Sequence, residues 1–112
     1  MFFKKNQIPA VDVVQLKEMM DKGEEFTLLD VREPDEYEFC KLPGSILIPL
    51  GQIENRADEL DSSKKTVVMC RSGGRSGQAV EILMEKGFQD ICNLTGGILA
   101  WSDKIDPSVP KY

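Results

Sequence analysis

The sequence predicts an α/β fold: a mostly parallel sheet of four to five strands with helices on both faces. Three observations lead there. Segments whose apolar residues recur at helical spacing alternate along the chain with short apolar runs. Those runs are nearly continuous rather than alternating with polar residues, the pattern of strands buried on both sides. The 112 residues suffice for one core, so the alternation describes crossover units of one sheet. With 41% hydrophobic and 29% charged residues, the composition is that of a globular chain rather than a disordered one. One domain over 1–112 is expected, with 106–112 as an extended tail over the surface.

In chain order, Val13, Leu16, Met19 and Met20 mark a helix over 13–22 that Gly23 stops. Phe26 to Val31 is a buried strand, and Pro34 opens a short acidic helix over 35–39 that ends before Pro43-Gly44. Ile46-Leu47-Ile48 is a strand stopped by Pro49, and 53–60 reads as a weak helix or two short turns. Thr66 to Cys70 is the clearest strand, rich in β-branched residues. A helix follows with Ala79, Val80, Leu83 and Met84 on one face and Gly87 at its end. Ile91 to Leu94 forms another strand, and Gly96-Gly97 leads into a last helix through Trp101. Trp101 and the three helical methionines, Met19, Met20 and Met84, are read as packing residues.

Fourteen basic against nineteen acidic residues give a net charge of −5, which disfavours nucleic acid as a partner. Histidine is absent, which removes Ser–His and Cys–His nucleophile pairs and every histidine metal site. The carboxylates Glu33, Asp35, Glu36 and Glu38 read as a solvated helix face, so no metal and no cofactor is expected. Cys40, Cys70 and Cys92 are an odd, widely spaced set without a C-x-x-C pair, the usage of a reducing compartment. The first residues turn polar after two aromatics, and no apolar run is long enough to span a bilayer. A cytoplasmic protein with no membrane partner is the expectation.

The chemistry concentrates at Cys70-Arg71-Ser72-Gly73-Gly74-Arg75-Ser76, between the clearest strand and a helix. Successive backbone N–H groups in such a turn can form an anion-binding nest, and the helix N-terminus adds positive potential. Arg71 and Arg75 supply full charges, and no acidic residue lies between Cys70 and Gln78. An unperturbed thiol ionises near pH 8.5 and is only a few per cent thiolate at neutrality. In a chain without histidine, this electrostatic route is the evident way to activate Cys70. A strand-terminal cysteine is more often an inert packing residue, but two arginines and two glycines ahead of a helix reverse that balance. Cys70 is therefore read as a nucleophile for an anionic substrate.

The loop resembles the active-site loop of single-domain rhodaneses, the sulfurtransferases. The resemblance extends over nearly the whole chain. Leu29-Asp30-Val31-Arg32-Glu33-Pro34-Asp35-Glu36-Tyr37, Leu42-Pro43-Gly44-Ser45-Ile46 through Ile48-Pro49-Leu50, and Leu94-Thr95-Gly96-Gly97-Ile98 with Trp101 are similar to the family's other motifs, in the same order. The implied architecture is a rhodanese-like three-layer fold. The implied chemistry is sulfane sulfur transfer from a donor such as thiosulfate, through a Cys70 persulfide, to cyanide or a thiol. Arg71, Ser72, Gly73, Gly74, Arg75 and Ser76 would then bind substrate, Arg71 by attracting the anionic donor and Arg75 by helping to close the loop. Asp30 and Arg32 would brace the site. Four residues separate Cys70 from Arg75, as in sulfur-transferring members, where the related dual-specificity phosphatases place five.

Cys40-Lys41-Leu42-Pro43-Gly44 departs from the pattern, since many relatives carry Gly-His before this segment. Cys40 is either a packing residue, the preferred reading, or a thiol that exchanges with Cys70. Cys92, among apolar strand neighbours, is read as core. Two rivals to a small-molecule sulfurtransferase remain: a non-catalytic docking module of the same fold, which the presence of Cys70 disfavours, and a protein-to-protein relay. In the relay, a cysteine desulfurase would supply sulfur and a carrier protein accept it. The stretch from Trp101 to Tyr112 resembles the end of rhodanese domains fused to activating enzymes of sulfur-carrier pathways.

Overall fold

A computed structural model describes residues 8–112 and places the β-branched run at the centre of the molecule. Strand β4 (Thr66–Met69) is buried at every residue. It pairs in parallel with β2 (Thr27–Asp30) on one side and β5 (Ile91–Leu94) on the other. The two-residue edge strands are β1 (Ala10–Val11), beside β5, and β3 (Ile46–Leu47), beside β2. The sheet is parallel throughout, in the order β1-β5-β4-β2-β3. Five strands lie within the expected number. The short β1 was not among the predicted elements, because two residues after a proline carry no periodicity.

Helices α1 (Val13–Asp21), α2 (Pro34–Phe39), α3 (Ile53–Arg56), α4 (Gly74–Glu85) and α5 (Gly97–Lys104) complete the fold. The predicted weak helix over 53–60 is a single turn of α-helix between two 3₁₀ turns, Leu50–Gln52 and Ala57–Glu59. Asp12 and Gln15 close a reciprocal capping box at the start of α1.

The two-residue period of a strand sorts the sheet's side chains into two cores. Leu29, Val68 and Ile91 face α3 and α4, meeting Ile53, Ala79, Val80 and Leu83. Leu28, Val67, Met69, Cys92 and Leu94 face the opposite way, onto Val13, Leu16 and Met19 of α1 and Ile98 and Trp101 of α5. Met19 is buried; Met20 and Met84 pack half-buried against these cores. The same parity places Cys70 with Val68 on the α4 face and Cys92 on the other.

The connections set the position of the site. From β2 the chain moves outward to β3, and from β4 it moves the other way to β5. The carboxyl ends of β2 and β4 thus flank the point where the winding reverses, where parallel sheets bind ligands. Asp30 ends β2, and Cys70 follows β4. The start of α5 closes the crevice from the side. Ile98 N donates to Cys70 O at 3.0 Å and Leu99 N to Arg71 O at 3.2 Å, so orphan amides of a helix N-terminus hold the loop's carbonyls.

That close approach explains Gly97. Its φ is +58°, and a Cβ would stand 2.4 Å from Arg71 O and 2.5 Å from Cys70 O, both backbone atoms. Gly97→Ala is expected to destabilise the fold by about 2–5 kcal/mol, from left-handed strain together with overpacking. The midpoint of urea unfolding measures this loss.

Candidate active site

Cys70 lies at the floor of the crevice, 1% exposed. Gly73, in the left-handed region at φ +119°, reverses the chain and serves as N-cap of α4. The turn aims amides inward: Gly73 N lies 3.1 Å and Ser76 N 3.4 Å from Cys70 Sγ. Ser76 Oγ is 3.3 Å from the same sulfur. Burial, the largest single influence, pushes the thiol pKa up. The Ser76 hydroxyl and the amides of Ser76, Gly73 and Ser72 together outweigh it, so the Cys70 pKa falls below that of an ordinary thiol. At Cys92 burial is the largest influence, with Lys65 opposing it and Asp90 adding to it, and the thiol is pushed up.

Arg75 turns from the loop to α2. Its Nη1 and Nη2 donate to Glu36 Oε1 and Oε2 at 2.7 and 3.0 Å, a paired fork. Glu36 also accepts from Glu33 N and from Tyr112 Oη, each at 2.9 Å. The Arg75 guanidinium is the main reason its carboxyl is held down at about 2. The reading of residues 33–38 as a solvated face is corrected here for Glu36, whose side chain is only 16% exposed. Periodicity over six residues cannot separate one tethered carboxylate from its solvated neighbours.

Asp30 and Arg32 form a closed pair with both side chains 0% exposed. Arg32 Nε reaches both Asp30 oxygens at 3.0 Å, and Nη2 reaches Oδ2 at 2.7 Å. The remaining donors are used as well: Nη2 on Cys40 O at 2.7 Å and Nη1 on Tyr112 Oη at 2.8 Å. The Asp30 carboxylate and the Tyr112 hydroxyl overcome burial and raise the Arg32 pKa further. The pair touches the α2–β3 connection and the tail, and exchanges no hydrogen bond with Cys70.

The structure places Arg71 differently from the expectation. Its Nε donates to the Tyr112 main-chain oxygen at 2.7 Å, and Nη2 is directed to the same atom. Its guanidinium lies 5.2 Å from the Tyr112 ring centroid, and the ring meets Phe39 edge-on at 5.8 Å. The tail therefore does not simply run extended over the surface. It turns at Asp106, whose carboxylate holds Ser108, is fastened by Ser102 Oγ donating to Val109 O at 2.6 Å, and ends against the site. The resemblance of the stretch 101–112 gave Tyr112 no contact, since only the folded chain brings residue 112 to residues 32, 36 and 71.

Asn93 of β5 is the other residue that sequence reading passed over. It accepts from Ser76 Oγ at 2.5 Å and donates to Gly73 O at 3.1 Å. Cys40 is half-buried, with Sγ 3.8 Å from Pro110 O, and packs on the core opposite Cys70. That placement fits a packing residue. Among the described residues, no three His, Cys, Asp or Glu side chains are grouped as a metal site would need, and no helix is long and apolar enough to cross a membrane.

A family model for the rhodanese-like domain matches residues 12–104. YtwF of Bacillus subtilis is 36% identical over 101 residues, covering 90% of this chain and 97% of its own length. The adenylyltransferase and sulfurtransferase MOCS3 of Arabidopsis thaliana is 34% identical over 126 residues, covering 96% of this chain and 27% of the longer protein. The chain thus spans about half or less of the length of several curated relatives it matches. Among solved structures, the crystal structure of a rhodanese-related protein from Thermoplasma volcanium superposes with a TM-score of 0.79 at 34% identity, covering 87% of this chain and 93% of that one.

Two tests follow from this geometry. Asp30→Ala leaves the Arg32 charge buried and unpaired, and is expected to cost about 3–5 kcal/mol, read from equilibrium unfolding. Glu36 has its pKa lowered from 4.5 to about 2 in the folded state. Its contribution to stability is present above the unfolded value and is lost as pH falls through the folded one. Unfolding midpoints between pH 5 and 2 should therefore fall more steeply in the wild type than in Glu36→Gln.

Proposed function

This chain belongs to the rhodanese-like domain family, and from that premise we propose that it transfers sulfane sulfur through a persulfide on Cys70. The single observation that carries the proposal is the convergence of the Gly73 and Ser76 amides on Cys70 Sγ. Donors that stabilise a thiolate also stabilise the terminal sulfur of a persulfide, because both are anions in the same nest.

The reaction has two displacements. The Cys70 thiolate attacks the outer sulfur of a donor such as thiosulfate; the new S–S bond forms as the donor's S–S bond breaks, and sulfite leaves with the electron pair. The terminal sulfur of the Cys70 persulfide is then attacked by cyanide or a thiolate. The Cys70 thiolate departs, and the acceptor leaves as thiocyanate or a new persulfide. No proton acceptor is needed at the reacting sulfur once the thiol has ionised, which suits a chain without histidine. Hydrolysis of a phosphate ester is a weaker reading, because four residues separate Cys70 from Arg75 and the Arg75 fork is taken by Glu36.

A protein-to-protein relay is the second reading, and the engagement of Arg71 favours it. The cation expected to draw in a small anion is held on the Tyr112 main-chain oxygen. Edge-on to the Tyr112 ring stands Phe39, 57% exposed, an apolar group suited to a macromolecular partner. A cysteine desulfurase as donor and a thiol or carrier protein as acceptor would fit that mouth.

Intact-mass analysis after incubation with thiosulfate tests the proposal, with wild type and Cys70→Ser in parallel. The wild type is expected to gain one sulfur atom and to lose it to cyanide, while the variant gains none. If neither protein gains sulfur from thiosulfate but the wild type is charged by a persulfidated desulfurase, the relay is the activity. Charging by neither donor overturns sulfur transfer.

A further inference from the structure

The Ser76 hydroxyl has one proton and two claimants. Its oxygen lies 2.5 Å from Asn93 Oδ1 and 3.3 Å from Cys70 Sγ. The Asn93 amide cannot be turned over to present its nitrogen to Ser76, because Nδ2 donates to Gly73 O at 3.1 Å, and a carbonyl in its place would face another carbonyl. Oδ1 is therefore an acceptor, and the short contact requires the proton of Ser76. With that proton directed to Asn93, Ser76 offers Cys70 only lone pairs. The arrangement then suits a neutral thiol, with S–H donating to Ser76 Oγ. It opposes a thiolate, whose lone pairs would face those of the hydroxyl.

From this geometry we infer that Asn93 is a positioning residue that sets the ionisation of Cys70 by competing with the sulfur for the Ser76 proton. The inference rests on Cys70 being the reacting thiol and says how its reactive state is reached. In the resting state the proton chain runs Cys70 S–H to Ser76 O–H to Asn93 Oδ1. On ionisation the Cys70 proton passes to solvent, the Ser76 hydroxyl rotates its own proton from Asn93 to Sγ, and Oδ1 is left without its donor. The thiolate gains a hydrogen bond at the expense of another, so the hydroxyl stabilises it by less than an unengaged serine would. The amides of Gly73 and Ser76 contribute in both states and are not part of the exchange.

The charged groups around the sulfur do not enter this chain. Arg75 of α4 faces Glu36 of α2, Arg71 of the loop faces Tyr112 O, and Asp30 and Arg32 at the end of β2 face each other. None of them hydrogen-bonds Ser76 or Asn93. Cys92, two residues from Leu94 on β5, packs on the opposite core. The electrostatic background is thus common to all variants of the serine and the asparagine.

The test is the pH dependence of iodoacetamide alkylation at Cys70, read by mass mapping of the Cys70 peptide. It compares wild type, Asn93→Ala, Ser76→Ala and the double variant. Asn93→Ala should release the Ser76 proton to the sulfur and lower the Cys70 pKa by about one unit, raising alkylation about tenfold below the pKa. In the Ser76→Ala background the same substitution should leave the pKa unmoved, which a merely structural role for Asn93 would not predict. Asn93→Leu, close in volume and without an acceptor for Ser76, should accelerate alkylation as the alanine variant does, and it serves if that variant does not fold. A Cys70 pKa that is unchanged or raised in Asn93→Ala overturns the inference, as does a shift that persists without Ser76 or alkylation that is not faster in Asn93→Leu. Alkylation needs no sulfur donor, so these outcomes are independent of whether thiosulfate charges the protein. A wild-type profile near pH 8.5, that of an ordinary thiol, would overturn the activated-cysteine premise and this inference with it.

Discussion

A sulfur anion at the end of a buried strand is costly, because desolvation disfavours the charged form, and the local structure is organised around offsetting that cost. Gly73 adopts a left-handed conformation so that the turn can bring its own amide and that of Ser76 onto Sγ. Gly97 has no side chain so that α5 can reach the carbonyls of Cys70 and Arg71. The two devices are complementary. Drawing Arg71 O outward onto the Leu99 amide turns the Ser72 N–H of the same peptide unit toward the sulfur, while the turn at Gly73 aims the amides of Gly73 and Ser76.

Around that nest, charge is compensated in closed sets. Arg75 is held by Glu36, and Glu36 in turn by Glu33 N and the Tyr112 hydroxyl. Arg32 is held by Asp30, Cys40 O and the same hydroxyl. Tyr112 is the hinge between the sets, donating to a carboxylate and accepting from a guanidinium. The helix α2, six residues long and without a buried residue of its own, is tied to the rest by its caps and these polar contacts rather than by an apolar face.

Much of the fold was legible because it depends on local periodicity. The run 66–70, the helix carrying Ala79, Val80 and Leu83, and the glycine pairs mark their elements without reference to anything distant. The candidate loop was legible for a related reason: cysteine, arginines and glycines lie contiguous in the chain, with a helix N-terminus directly after them. What escaped the sequence is contact between distant residues. Glu36 lies among carboxylates that look alike in one dimension, and only its pairing with Arg75 distinguishes it. Asn93 sits inside an apolar strand, where one polar residue reads as a tolerated exception. Its partners Gly73 and Ser76 come to it only when β4 and β5 pair. Tyr112 lies 41 residues from Arg71 and 80 from Arg32, and nothing local announces either contact.

The same closed sets bear on how sulfur would reach Cys70 in the proposed transfer. A small dianion is steered to a site by uncompensated positive potential. Here Arg32 and Arg75 face carboxylates, Arg71 faces a main-chain oxygen, and the chain as a whole carries a net charge of −5. Capture of a free anion would then rely on Arg71, the one of these three guanidiniums without a carboxylate partner, and on the neutral donors of the nest, which act only at contact distance. Delivery by a partner does not meet this limit, because docking replaces bulk concentration with a high effective concentration at the mouth. The exposed Phe39 ring beside Tyr112 is the kind of apolar surface such docking uses. For the proposed transfer, the electrostatics of the site therefore favour sulfur that arrives bound to another molecule, with thiosulfate as the simpler probe of the same chemistry.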